Sequence, residues 1–141
     1  MTDTITDTLY TSQATSKGGR EGTVKSSDGV IDLPLGKPGS QANPKANPET
    51  LFAAGYSACF GGALAVVAGK EGLDVSESTV TADVTLGTND DGFLIAAKLT
   101  AKIPGVDAAK AQELADAAHQ VCPYSKATRG NIDVTIVGEP A

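Results

Sequence analysis

Two stretches in the second half of the chain alternate apolar and polar residues and predict a β-hairpin. Residues 80–86 place an apolar side chain at every second position, and residues 93–103 resume the alternation after a polar, glycine-containing turn at 88–92. A period of two is typical of strands that bury one face. Residues 132–136 alternate in the same way and predict a final strand.

Helices are predicted on either side of this hairpin from their end signals. Pro48 stands at a favourable first helical position, and the apolar segment after it predicts a helix to about Lys70. Asp107 can cap a second helix through its side-chain oxygen. We expect that helix to end before Pro123, since proline cannot continue it.

The first third of the chain predicts another hairpin and a loop. Residues 23–27 and 30–35 flank Asp28-Gly29, a pair that favours tight turns. The glycine-rich residues 18–22 interrupt the strand region before this hairpin, and we expect a bend there. Residues 36–48 contain three prolines and are predicted to form a loop.

The resulting order is two strands, a helix, two strands, a helix and a strand, which is typical of an α+β fold with antiparallel hairpins. A length of 141 residues fits one domain. We therefore expect a single domain over residues 1–141, with residues 1–7 flexible.

The long apolar helix could be interpreted in two ways. Residues 51–69 carry no formal charge and approach the length of a membrane span, but they include four glycines. We interpret them as a buried helix that does not cross a membrane, covered on nearly all sides. Ala54, Ala58 and Gly62 recur every four residues and form a ridge of small side chains that lets another helix approach closely.

Charge and composition exclude some functions. The net charge is −6 and the lysines are scattered, which argues against nucleic-acid binding. The N-terminal residues are polar and acidic, so we expect no secretory signal and a cytoplasmic protein. In that compartment a cysteine pair is more often catalytic or redox-sensing than structural.

The two cysteines are the candidate reactive groups. Cys59 lies within the long helix and Cys122 at the end of the second helix. Burial makes a thiol inert unless a cation stabilises its thiolate. The only two arginines, Arg20 and Arg129, are candidates for that cation. Glu49 could orient a guanidinium group or simply stabilise the first helical turn.

Three segments carry the densest motifs: residues 9–22 (LYTSQATSKGGREG), 47–60 (NPETLFAAGYSACF) and 122–131 (CPYSKATRGN). In this order they resemble the organic hydroperoxide resistance family of the Ohr/OsmC superfamily, and the resemblance covers nearly the whole chain. It departs at residues 41–46, where the family often has a glycine-rich run, and at Thr50, where Gln is common.

The resemblance implies a fold of antiparallel sheets wrapped around long central helices, in an intertwined homodimer. It implies that Cys59 is the peroxidatic cysteine and Cys122 the resolving cysteine. Arg20 matches the arginine that pairs with the thiolate, and Glu49 the carboxylate that holds this arginine. The implied activity is reduction of organic hydroperoxides to alcohols through a sulfenic acid and a disulfide. A dihydrolipoyl group of a lipoylated protein is the implied reductant, with no bound cofactor.

Phe52, Tyr56 and Phe60 share one stripe of the long helix and are candidate contacts for an alkyl or fatty-acid hydroperoxide. Plain core packing is the alternative for all three.

Other functions fit the residues less well. A redox sensor would form the same disulfide without turnover, and steady-state peroxide consumption distinguishes it from an enzyme. A serine hydrolase at Ser57 lacks the second elbow glycine and would lie inside a helix. Two distant cysteines and His119 lack zinc-ligand spacing, so we expect no metal site, and a surface or packing role for His119.

Overall fold

The computed structural model of the protein describes residues 2–39 and 43–141, which group into two compact units, residues 1–48 and 49–141. The predicted loop 36–48 and the variant loop 41–46 therefore fall in part outside the described residues, as does the first residue of the predicted flexible segment 1–7. The single domain over residues 1–141 stays a prediction.

The first unit contains a three-stranded antiparallel sheet in the order β1-β2-β3. Its strands are β1 (Ala14–Lys17), β2 (Thr23–Ser26) and β3 (Asp32–Pro34). The predicted hairpin is confirmed, and its turn is closed by the Asp28 carboxylate, which accepts hydrogen bonds from the Val30 N–H (3.0 Å) and the Ser26 hydroxyl (2.6 Å).

The glycine-rich segment between β1 and β2 forms the predicted bend, as a 3-10 turn over Gly19–Glu21. Gly18 adopts φ +79°, and a Cβ atom on Gly22 would lie 1.8 Å from the Lys17 carbonyl oxygen. Glycine is the residue that fits such positions, so these two glycines specify the turn. It carries Arg20.

The first helix, α1 (Pro48–Gly69), has the predicted bounds to within a residue. Gly72, at φ +72°, lies just beyond its end, and the Leu73 N–H bonds the Ala68 carbonyl (3.0 Å). One face of α1 is buried, through Tyr56, Phe60, Ala63, Leu64 and Ala68.

The opposite face of α1 corrects one expectation. Ala54, Ala58 and Gly62, the predicted ridge, are exposed, and Val66 further along is 50% exposed. Covering on nearly all sides is therefore wrong for the second unit by itself, because its other elements pack against the opposite face of α1. By length and composition α1 is also apolar enough to cross a membrane, a test that the core helix of a soluble protein passes as well.

The second sheet has three strands in the order β4-β5-β6: β4 (Thr79–Asn89), β5 (Gly92–Ile103) and β6 (Val134–Pro140). The predicted hairpin pairs β4 with β5 antiparallel. The last strand lies parallel to β5, so this sheet is mixed, because the helices between β5 and β6 return the chain to the same end of the sheet. The α+β class is confirmed.

Two helices connect β5 to β6: α2 (Ala108–Val121) and α3 (Pro123–Thr128). The Asp107 side chain caps α2 by accepting from the Lys110 N–H (2.8 Å), as predicted. Pro123 ends α2, and it also occupies the first turn of α3, a helix that no sequence pattern predicts.

The core of the second unit lies between α1, α2 and the sheet. Its largest fully buried side chains are Tyr56, Phe60, Leu64, Leu99, Ile103, Leu114, Cys122 and Ser125. One backbone contact sets the distance between α2 and β6, since a Cβ atom on Gly138 would lie 2.1 Å from the Ala111 carbonyl oxygen.

We predict that Gly138→Ala lowers the free energy of unfolding by about 2 kcal/mol, because the added methyl group meets rigid backbone rather than a movable side chain. Gly87→Ala is the matched control, since that β4 glycine has nothing within 4 Å of the added Cβ. Urea unfolding monitored by circular dichroism measures both variants. Equal stability of the two would contradict the close packing of α2 on β6.

Candidate active site

The two cysteine side chains lie next to each other in the second unit. Cys59 is half-buried on α1, and Cys122 is fully buried where α2 ends and α3 begins. Both are free thiols, and their Sγ atoms are 3.5 Å apart. A disulfide needs about 2.05 Å between the sulfurs, so a small approach of one side chain would join them.

Two opposing influences act on the Cys59 thiol. Burial raises its pKa, and the backbone N–H of Tyr124 opposes this by a hydrogen bond to the sulfur. The Cys122 thiol beside it raises the pKa further. The net direction is upward, so within this unit the surroundings favour the neutral thiol, and a reactive thiolate needs an additional positive charge.

An aromatic cluster lies beside the thiols. The rings of Phe52, Tyr56 and Tyr124 have centroids 5.7–5.9 Å apart, in tilted or edge-on arrangements that aromatic pairs favour. Gly55 makes room for this cluster, since a Cβ atom there would lie 2.8 Å from the Tyr124 hydroxyl oxygen.

The predicted substrate contacts differ in exposure. Tyr56 and Phe60 are fully buried, whereas Phe52 is partly buried and packs against the core. Tyr124 is 39% exposed. Their contact with substrate stays a prediction, and the burial shows that in this chain Phe52 and Tyr124 form the accessible part of the cluster.

Hydroxyl groups behind the cluster form a buried network. The Tyr56 hydroxyl lies 2.8 Å from Ser125 Oγ and 2.9 Å from Thr128 Oγ1. His119 Nδ1 lies 2.7 Å from the same Ser125 oxygen. No sequence pattern assigns a role to Ser125, Thr128 or Tyr124. The signal available was Tyr56 itself, because a buried tyrosine hydroxyl requires a hydrogen-bond partner.

His119 and Arg129 both lie at the junction of α2 and α3. The Arg129 guanidinium donates to the His119 carbonyl oxygen near the end of α2. Burial and the positive charge of Arg129 lower the pKa of His119. The expected packing role of His119 fits this half-buried position, and Arg129, one of the two candidate cations, serves the helix junction here.

Arg20 and Glu49 belong to different units. Arg20 lies in the 3-10 turn of the first unit, and Glu49 in the first turn of α1. Glu49 precedes Cys59 by almost three helical turns, about 15 Å along the axis. A side chain that contacts both the Glu49 carboxylate and the Cys59 sulfur must therefore be long. The pairing of Arg20 with both groups stays a prediction.

No group of three or more His, Cys, Asp or Glu side chains suited to a metal ion occurs among residues 2–39 and 43–141.

The chain is similar to known proteins over most of its length. The family model of OsmC-like proteins matches residues 39–137. The organic hydroperoxide resistance protein of Xanthomonas axonopodis pv. citri (strain 306) is 49% identical over 132 residues, covering 91% of this chain and 93% of that protein. Its counterpart OhrB of Bacillus subtilis (strain 168) is 46% identical over 132 residues, covering 91% and 96%.

Solved structures agree with the sequence matches. The crystal structure of Bacillus subtilis OhrB superposes with a TM-score of 0.86 at 44% identity, covering 95% of this chain and 100% of that one. The organic hydroperoxide resistance protein of Elizabethkingia anophelis, with crystallant-derived thiocyanate bound, gives a TM-score of 0.86 at 48% identity, covering 95% and 99%. The fold is therefore OsmC-like. More narrowly, the chain belongs to the organic hydroperoxide resistance family, which associates it with the oxidative stress response.

Proposed function

We propose that the protein is a cysteine-based peroxidase that protects against organic peroxide stress by reducing organic hydroperoxides to alcohols. The observation that carries the proposal is the 3.5 Å separation of the Cys59 and Cys122 sulfurs beside a partly accessible aromatic cluster. Membership of the organic hydroperoxide resistance family supports the substrate class.

The reaction proceeds in three steps. The Cys59 thiolate attacks one oxygen of the hydroperoxide, the O–O bond breaks, and a proton completes the alcohol, leaving a sulfenic acid. The Cys122 thiol then displaces the sulfenic hydroxyl group, forming the disulfide and releasing water. An external dithiol returns both cysteines to thiols and is itself oxidised to a disulfide.

The difference in burial of the two sulfurs determines where the reductant attacks. Cys122 is fully buried, whereas Cys59 is half-buried. Thiol–disulfide exchange needs access to the attacked sulfur, so the dithiol would attack Cys59 and release the Cys122 thiol. We propose a dihydrolipoyl group on a lipoylated protein as this dithiol, because a long arm reaches a recessed sulfur.

Arg20 is proposed to stabilise the Cys59 thiolate and the charge that develops on the peroxide, with Glu49 orienting its guanidinium. The support is electrostatic, because burial and Cys122 raise the pKa of Cys59 by more than the Tyr124 N–H lowers it. A nearby guanidinium would shift the balance toward the thiolate.

The organic group of the substrate is proposed to bind against the aromatic cluster. Phe52 and Tyr124 would contact it directly, with Tyr56 and Phe60 packed behind them. An apolar surface of this kind favours alkyl and fatty-acid hydroperoxides over hydrogen peroxide, which has no apolar part to bury.

A homodimer is proposed from the exposed face of α1. Six residues at helical spacing on this face are exposed and none is polar: Ala54, Ala58, Gly62, Ala65, Val66 and Gly69. Small side chains allow a second copy of the helix to approach closely, and its burial would remove apolar surface from water. A second copy of the chain is the partner that this self-complementary face fits.

We predict that Cys59→Ser abolishes steady-state consumption of an alkyl hydroperoxide in the presence of a dithiol, because a serine hydroxyl at its ordinary pKa cannot replace a thiolate as the nucleophile. Cys122→Ser should consume a first equivalent and then accumulate sulfinic acid at Cys59. Chromatography that follows the disappearance of the alkyl hydroperoxide measures the turnover of Cys59→Ser. Wild-type turnover by Cys59→Ser would contradict the nucleophile, and a wild type that forms the disulfide without turnover would indicate a redox sensor.

We predict that Arg20→Ala raises the pKa of Cys59 and shifts the pH–rate profile of thiol alkylation to higher pH, because a cation no longer favours the thiolate. Iodoacetamide alkylation of Cys59 across pH, in a Cys122→Ser background, gives this pKa. Lys17→Ala is the control, since it removes a nearby positive charge of the same unit. An unchanged pKa in Arg20→Ala would disprove the pairing.

We predict that the protein sediments as a dimer at micromolar concentration and that Ala58→Glu produces monomers, because a charge in the apolar interface has no partner. Sedimentation velocity measures both. Glu71→Gln, an exposed change beyond the end of α1, should leave the dimer intact. A monomeric wild type would contradict the proposed assembly.

A further inference from the structure

A chain of buried hydrogen bonds joins all three helices at one point. Ser125 of α3 lies 2.8 Å from the Tyr56 hydroxyl of α1 and 2.7 Å from Nδ1 of His119 on α2, measured at Ser125 Oγ. Tyr56 in turn lies 2.9 Å from Thr128 Oγ1, on the last turn of α3. Tyr56 and Ser125 are fully buried and Thr128 is 4% exposed, so water cannot replace these partners.

Two directions of these bonds satisfy every group. In the first, Thr128 Oγ1 donates to the Ser125 carbonyl oxygen (3.2 Å) and accepts from Tyr56, which accepts from Ser125, which accepts from a protonated Nδ1 of His119. In the second, Thr128 donates to Tyr56, Tyr56 donates to Ser125, and Ser125 donates to an unprotonated Nδ1 of His119. Either order uses each hydroxyl hydrogen once and leaves none of the four side chains unpaired.

The chain of bonds lies one helical turn from both sulfurs. Tyr56 precedes Cys59 by three residues on α1, and Ser125 follows Cys122 by three residues at the start of α3. Residues three apart on a helix are neighbours on its surface. The hydrogen bond between Tyr56 and Ser125 therefore links the two helical segments that carry the thiols.

We propose that the hydrogen-bond chain His119–Ser125–Tyr56–Thr128 is a positioning device for the resolving step: it holds α3 against α1 so that Cys122 remains within reach of oxidised Cys59. The proposal rests on the proposed peroxidase function. Ser125, Thr128 and His119 are positioning residues, since none of them contacts the reacting sulfurs.

The device matters because the sulfenic acid at Cys59 has two fates. Cys122 can displace its hydroxyl group, giving the disulfide and water, or a second hydroperoxide can oxidise it to sulfinic acid and become an alcohol. The first reaction is intramolecular and depends on how well Cys122 is held, whereas the second depends only on hydroperoxide concentration. Loosening α3 should therefore shift the outcome toward sulfinic acid.

The test measures this partition. The reduced protein is treated with increasing alkyl hydroperoxide, and intact mass spectrometry counts disulfide and sulfinic acid. Loss of one buried hydrogen bond corresponds to about a ten-fold change in an equilibrium. We expect Ser125→Ala and Thr128→Val to need about ten-fold less hydroperoxide than the wild type for half-overoxidation. Thr128→Ser, which keeps the hydroxyl group, should resemble the wild type.

The control is Ser78→Ala, because the Ser78 hydroxyl is buried in the same unit without a hydrogen-bond partner among the described residues. Thermal melts accompany each variant. The proposal would be overturned if the hydroperoxide concentration that gives half-overoxidation of Ser125→Ala were within two-fold of that for the wild type. An equal shift in Ser78→Ala would also overturn it, since the effect would then be general loss of packing.

Two measurements need no peroxide. His119 is the only histidine, so its ring nitrogens report on the network by NMR. The Nδ1 signal should shift in Ser125→Ala because its hydrogen-bond partner is lost, and an identical Nδ1 signal in the two proteins would overturn the proposal. In a dithiothreitol redox buffer, Ser125→Ala should lower the equilibrium constant for the Cys59–Cys122 disulfide by about ten-fold. A wild type inert to hydroperoxide would disprove the proposed function, yet this titration would still decide the positioning.

Discussion

The candidate active site depends on the contact between the α2–α3 junction and α1, because α1 carries Cys59 and the junction carries Cys122. Pro123 separates α2 from α3 and leaves Cys122 at the turn between them, 3.5 Å from Cys59. Gly55 lets the Tyr124 ring lie on α1, and the Tyr56 hydroxyl holds α3 in place by its hydrogen bond with Ser125. A larger residue at Gly55 or an apolar one at Ser125 would disturb this contact before it disturbed the sheets.

The same contact creates an electrostatic conflict. Packing that brings two thiols together also desolvates them, and desolvation raises the pKa of Cys59. One backbone N–H opposes this effect within the unit. The proposed peroxidase activity therefore requires a cation from outside this unit. The residues that form the site would then differ from the residue that makes it reactive. Arg20 is the residue proposed for this second role.

Sequence patterns predicted most of the fold and the centre of the site. Alternation located β4 to β6, and end signals located α1 and α2, because these signals are local. The parallel pairing of β6 and the short helix α3 were missed, since pairing is a long-range property and six residues give too little periodicity. The motif resemblance indicated Cys59 and Cys122 as partners. Ser125 and Thr128 could not be assigned, because a hydrogen-bond partner far along the chain leaves no pattern in sequence.

The central claim is that one hydroperoxide molecule converts the two thiols of one chain into a disulfide. In the most direct measurement, the fully reduced protein is treated with one equivalent of an alkyl hydroperoxide and the alcohol is quantified. Peptide mass spectrometry without reduction then identifies which cysteines are paired. We predict about one alcohol per chain and a Cys59–Cys122 bond within that chain. Unchanged thiols, or a disulfide that links Cys59 to another chain, would contradict it.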